Sequence, residues 1–217
     1  MIKQKRDAEA TKAKIIKNAM ELFSKKSFDG TTIDIIAQSS SVNKALIYYY
    51  FKNKAGLYES VLESALASIY KDIKAEKKCC EGALGELKAF IQTYTKHMQS
   101  HPYLPALMLR ELSDSGAHLP EMMFAGMRHL FALLSDILRR GEEEGVFKNV
   151  LPMVIHFMIT GSINLLITTT PLRKKAQEID STLDTCAQCS LDEIASYIFT
   201  KTKFMLEVPY EKNITCL

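Results

Sequence analysis

Residues 31–54 read TTIDIIAQSSSVNKALIYYYFKNK, and the reading of this stretch decides the fold. Ile33, Ile36 and Ala37 share one side of a helix that Thr31 or Thr32 can cap with a hydroxyl. Ser39, Ser40 and Ser41 end that helix, because short hydroxyl side chains bond to nearby backbone and favour a turn. Asn43 is a good N-cap for a second short helix from Lys44 to about Tyr50, in which Ile47 and Phe51 stand four apart and face inward together. Tyr48 and Tyr49 are left pointing elsewhere. Two short helices around a tight turn are the helix-turn-helix pattern, whose second helix enters the major groove of DNA.

The charge distribution agrees. Residues 1–55 carry eleven basic side chains against five acidic ones, a net +6, whereas the rest of the 217-residue chain has 17 basic and 20 acidic residues, a net −3. Such asymmetry places a polyanion at one end only. The five cysteines, an odd number, and an N-terminus without an apolar stretch argue against a secreted disulfide framework and for a reducing cytoplasm.

Outward from the motif, every strong signal is helical. Ile15, Ile16, Ala19, Met20, Leu22 and Phe23 predict a helix from about Ala8 to Lys26. Asn53 caps another that runs to about Lys74 through Leu57, Val61, Leu62, Leu66 and Ile69, the natural connector between halves. Further helices are predicted from Leu84 to Met98, from Tyr103 to Leu112, and from Pro120 through Met123, Leu130 and Leu138, closed by Gly141 to Gly145. Residues 150–171 hold no Asp, Glu, Lys or Arg. Their scattered Thr, Ser, Asn and His side chains read as a helix buried between protein layers that stops at Pro171, with no membrane span. Leu172 to Cys189 reads as a long, mobile connection. Ser190 and Glu193 then form a capping box that opens a last helix. The expected fold is all-α: a helix-turn-helix unit over residues 1–54 and a larger helical bundle over 55–217.

The order and spacing of Phe23 to Thr32, Ile36-Ala37, Val42, Ile47-Tyr48-Tyr49 with Phe51, and Lys54 with Leu57 resemble the N-terminal domain of the TetR family of bacterial transcriptional regulators. The resemblance covers roughly the first sixty residues; HPYLPALMLREL and RRGEEEGVF resemble the family's C-terminal domains only loosely. Ser27 and Ser41 stand where the family usually has glycine, and serine enters the left-handed conformation at a cost of about 1 kcal/mol. Leu46 replaces a usual Thr or Ser of the recognition helix, Tyr50 a common His and Ile35 a frequent acid.

The resemblance implies that Tyr48 and Lys54 contact phosphates, with Thr31 or Thr32 adding another, and that Asn43, Lys44, Ala45 and Tyr49 meet base edges or thymine methyls. Lys52 joins them as a basic side chain beside the recognition helix. It also implies a homodimer on double-stranded DNA, with recognition helices about 34–36 Å apart and an interface from the helices near 150–170 and 190–207. All five histidines and eight of ten methionines lie from residue 97 on, which suits a pocket for a small, largely apolar effector of unknown identity. Phe90, Tyr94, His97, Met108, Met127, Phe131 and Met158 are the expected walls, with His97 and His156 placed to orient a polar group. The alternative is a DNA-bound scaffold that recruits a protein partner without an effector. No activated nucleophile, carboxylate pair or phosphate loop points to catalysis, and no cofactor or metal is expected. Cys186-x-x-Cys189 has metal or redox spacing but lacks a second CxxC or a nearby histidine, and the adjacent pair Cys79-Cys80 is no stronger.

Overall fold

A computed structural model describes residues 2–77, 80–118 and 121–208, with side chains for 7–77, 80–118 and 127–208. Cys79, Pro120 and Cys216, and the side chain of Met123, lie outside the described residues. Among those described there are ten helices and no strand beyond one isolated bridge between Phe147 and Glu207. In chain order they are α1 (Ile2–Lys26), α2 (Ile33–Ser40), α3 (Lys44–Phe51), α4 (Lys54–Lys77), α5 (Gly82–Ser100), α6 (Tyr103–Ser113), α7 (Glu121–Glu143), α8 (Pro152–Thr168), α9 (Thr170–Ile179) and α10 (Leu191–Leu206).

Two apolar cores meet along α4. The first gathers Ile15, Ala19 and Phe23 of α1, Ile36 of α2, Ile47 and Phe51 of α3, and Leu57, Val61 and Leu62 from the start of α4. The second takes Ile69 and Ile73 from the end of α4 and packs them on Leu87, Phe90 and Ile91 of α5, Leu134 and Ile137 of α7, Ile159 and Ile163 of α8, and Leu206 of α10. The first core is therefore completed by residues C-terminal to 54, where the sequence had been divided. Leu107 of α6 is buried in the first core, and Met20 and Met108 touch both, so the two bodies share an apolar seam.

A charged cluster ties α4, α5 and α7 together. Lys77 pairs with Asp136 at 2.9 Å and Glu86 at 3.1 Å, and Arg140 forks onto Glu86 while its Nε donates to Asp136 at 3.2 Å. At the end of α7, a Cβ added to Gly141 would lie 1.9 Å from the Phe147 ring. Only glycine lets that buried ring close the helix end.

The region after α8 departs from expectation. The chain does not become a long connection at Pro171; that proline sits in the first turn of α9, where its missing N–H has no helical partner to lose. Helix α9 bends 59° from α8, and the guanidinium of Arg173 anchors it by donating to the carbonyls of Leu166, Thr185 and Cys186 at 2.7, 2.9 and 2.5 Å. Cys186 and Cys189, whose spacing left a redox or metal role open, are joined by a disulfide that closes the turn before the Ser190–Glu193 capping box. Among the described residues no single helix is long and apolar enough to cross a membrane; α8 and α9 reach that length and composition only as a bent pair. Nor is α8 buried between layers as expected. Ile155, Ile159, Thr160, Ile163 and Asn164 face inward, while Leu151, Met153, Val154, Phe157, Met158 and Leu165 are exposed.

Candidate DNA-binding face and effector cavity

The helix-turn-helix is fixed by its caps. Thr32 is the N-cap of α2 and its hydroxyl accepts from Ile35 N at 3.3 Å. Ser41 ends α2 in the left-handed conformation at φ 52°, and Ser27 holds φ 66° after α1, so both serines that replace glycine carry the expected strain. The N–H groups of Ser41 and Val42 bond to Gln38 and Ala37 carbonyls at 3.1 and 3.0 Å, which closes the turn. Asn18 of α1 donates to Ser39 O at 3.1 Å and Ser40 Oγ at 3.2 Å, holding the turn against the first helix. Asn43 then caps α3 by accepting from Ala45 N at 2.9 Å.

With Ile47 and Phe51 buried, α3 turns its other side to solvent. Tyr48 and Tyr49 are 44% and 79% exposed, and Asn43, Lys44 and Ala45 stand beside them. Lys44 reaches Asp34 at 2.7 Å, an exposed pair that a phosphate or base edge can displace at little cost. Lys52 is exposed at the end of the helix. Tyr50 is half-buried against the core, with its ring edge-on to those of Tyr49 and Phe51.

Two of the residues singled out for DNA are engaged inside the fold. Thr31 is fully buried and its hydroxyl donates to Ser27 O at 2.8 Å, with Leu22 O at 3.3 Å. It therefore locks the α1–α2 corner and is absent from the surface, leaving Thr32 as the exposed threonine. The ammonium of Lys54 donates to the carbonyls of Phe28 and Thr31 at 3.0 and 3.2 Å and lies 4.2 Å over the Phe28 ring.

A narrow cavity of about 90 Å³ opens between α4, α5, α6, α7 and α8. Of the expected walls, Tyr94, Met108 and Met127 line it, together with Leu66, Ile69, Leu104 and Leu130. The other four stand elsewhere. Phe90 is fully buried core. His97 turns toward α4, where Nδ1 meets Asp72 at 2.9 Å and its ring stacks on His101. Phe131 packs edge-on to His156 with 5.7 Å between ring centres, and Met158 lies exposed on the outer side of α8. For His97, three residues beyond Tyr94, the side chain is turned about 60° round the α5 axis from Tyr94, to the side that meets Asp72 of α4.

His156 does line the cavity, as do Thr160 and Asn164, whose Oδ1 accepts from the Tyr94 hydroxyl at 3.1 Å. Burial pushes the imidazole of His156 below its ordinary pKa and the phenol of Tyr94 above its own, so both are neutral near pH 7. The polar wall that the sequence reading missed is Glu111 of α6. Its signal was present, since Leu104, Leu107, Met108 and Glu111 follow helical spacing along one apolar stripe. The carboxylate is 3% exposed and accepts a short bond at Oε1 from the Tyr58 hydroxyl of α4. Tyr58 in turn packs edge-on to Phe23 and Phe28.

A capped helix-turn-helix that exposes aromatic and basic residues, on an all-α body with a cavity, defines a DNA-binding regulator. Comparison with known proteins agrees. Residues 15–61 match the model of bacterial regulatory proteins of the tetR family, and residues 84–185 match that of the tetracyclin repressor-like C-terminal domain. The chain is 32% identical over 148 residues to the HTH-type transcriptional repressor SCO4008 of Streptomyces coelicolor, covering 68% of this chain and 72% of that one. It is 29% identical over 161 residues to the repressor NicS of Pseudomonas putida, covering 72% and 74%. FadR of Bacillus subtilis, solved with stearoyl-CoA, shares the fold with a TM-score of 0.69 at 20% identity, covering 89% and 98%. The chain belongs to the TetR family of bacterial transcriptional regulators. It is a regulator of transcription and not an enzyme.

Proposed function

We propose that the protein is a cytoplasmic, homodimeric repressor that binds a palindromic operator through α3 and leaves it when a small, largely apolar effector fills the cavity. The observation that carries this reading is the pairing of a solvent-facing α3, with Tyr48 and Tyr49 exposed beside Lys44, and a cavity joined to it through α4. Tyr48, Lys52 and Thr32 serve as phosphate contacts and Asn43, Lys44, Ala45 and Tyr49 as base contacts. Lys54 acts from within, holding the Phe28 and Thr31 carbonyls beside the start of α4. The exposed apolar side chains of α8 and α10, Phe157 and Leu165 with Tyr197 and Phe204, support a second copy of the chain as the partner on that face.

Release is a population shift. An effector weakens DNA binding only by as much as it prefers a dimer whose recognition helices are wrongly spaced. The route from cavity to reading head is short: Glu111 holds Tyr58, Tyr58 packs on Phe28, and Phe28 carries Lys54 on its face. In this reading residues 1–54 serve DNA and 55–217 serve effector and dimer, and α4, whose first turns complete the core of the DNA unit, is the lever between them.

The test is a gel shift on the DNA upstream of the chain's own gene. The wild type shifts that DNA well ahead of random sequence, and Lys44→Ala with Tyr48→Ala weakens it about 100-fold, at 1–3 kcal/mol per lost contact, without altering the helical spectrum. Equal binding of the wild type to operator and random DNA sinks the reading.

A further inference from the structure

The cavity has an unmet electrostatic requirement. Its described lining holds one carboxylate, Glu111, and neither lysine nor arginine. Oε1 of that carboxylate is used by Tyr58, but Oε2 is buried without a hydrogen-bond partner, and among the described residues no basic side chain pairs with it. A carboxylate taken out of water is normally matched by a cation or by several donors, since its desolvation costs several kcal/mol. Here a single phenol does that work. Nδ1 of His156, on the opposite wall in α8, is likewise buried and unpartnered. The rest of the wall is apolar and soft, with Met108, Met127, Leu104 and Phe157.

From this geometry we infer that Glu111 is the polar anchor of the cavity and that the effector is an apolar cation: a small hydrophobic body carrying one protonated nitrogen, which donates to Glu111 Oε2. The apolar body fills the space between α6, α7 and α8, and the nitrogen supplies the charge that the wall lacks. Anionic ligands meet the carboxylate with no base to offset it and are excluded. This inference rests on the reading of the cavity as an effector site and names the chemical class that the site takes. Because the other oxygen of the same carboxylate holds Tyr58, the anchor is also the point at which an occupant reaches α4.

Three probes of one shape separate the possibilities: benzylamine, benzyl alcohol and benzoate, each measured by calorimetry and thermal shift on the full-length protein. The amine is expected to bind about tenfold or more tighter than the alcohol, as a hydrogen bond to a charged group adds 1.5–3 kcal/mol, and benzoate is expected not to bind. Glu111→Gln brings the amine down to the level of the alcohol. Tyr58→Phe, which keeps the ring packing and frees Oε1, preserves the preference for the amine and so guards against a Glu111 variant that fails to fold. No binding of the amine, or equal binding of amine and alcohol, overturns the anchor. Amine binding that leaves the operator complex intact keeps the anchor and sinks the effector reading instead; release of DNA by an anionic or neutral compound, with no amine preference, does the reverse.

Discussion

In the core built by α1, α2, α3 and the start of α4, buried polar groups have partners: Thr31 bonds to the corner carbonyls and Ser40 to Asn18. In the body built by α5 to α10 the accounts stay open. The six buried polar atoms that lack a partner among the described residues, from His97 Nε2 and Glu111 Oε2 to Arg173 Nε and Thr185 Oγ1, all lie there. An unpaired buried polar atom costs about 1–3 kcal/mol, so the contrast reflects different demands on the two regions. A reading head must hold α3 in one geometry to match a groove, which favours full satisfaction and tight caps. A sensing body gains from bonding capacity left unused until a ligand or a second copy supplies it.

The exposed faces show the same division. On α3 the tyrosines stand beside lysine and capped backbone, which suits a polyanion. On α8, which holds no charged side chain, Phe157 and Leu165 stand exposed, as do Tyr197 and Phe204 of α10, where Lys201 lies 5.2 Å from the centre of the Tyr197 ring, and this largely apolar face suits an apolar partner. The largest expected effect follows from that face. Phe157→Glu with Phe204→Glu should raise the dimer dissociation constant about 100-fold or more, as buried aromatic anchors are worth 2 kcal/mol or above. Sedimentation velocity reads the change, and a variant that stays dimeric at low micromolar concentration breaks the assignment of the interface.

The next effect is in the satisfied core. Thr31→Val keeps the shape and removes the hydroxyl, so urea denaturation should show a loss of about 1–2 kcal/mol as the corner bonds go. The smallest is in the open body. Ser135 Oγ on α7 is buried without a partner among the described residues, so Ser135→Ala gives up no hydrogen bond and should leave stability unchanged or raise it by up to about 1 kcal/mol. Should the serine variant lose as much as the threonine variant, the contrast between the two regions fails.

Most of the reading head was legible in the chain. The caps Thr32 and Asn43, the left-handed serines 27 and 41, and the inward pair Ile47 and Phe51 depend on contacts within four residues, which sequence spacing specifies directly, as it does for the Ser190 cap of α10 in the other body. Less of the cavity was legible. Tyr94, Met108 and Met127 were found because they are apolar at helical spacing, while Phe90, His97, Phe131 and Met158 share that pattern and point elsewhere. Glu111 was passed over because a glutamate near a helix end ordinarily reads as solvated, and the reading of Lys54 as a phosphate contact did not include its two carbonyl partners, which lie 23 and 26 residues away.

The sequence by itself determined that this chain is all-helical, where α2 and α3 start and stop, and that its N-terminal unit meets DNA; α1 begins at Ile2, ahead of the expected Ala8. Those properties rest on local hydrogen bonds, backbone preference and the 3.6-residue period. The tertiary structure alone decided that α8 is half exposed and that Pro171 begins a helix. It also decided that Thr31 is buried, that the Lys54 ammonium is held by two backbone carbonyls, and that a carboxylate with one oxygen unpartnered among the described residues faces the cavity. Periodicity tells which side chains share a face of a helix, but the neighbour that face meets is set by packing between segments far apart in the chain.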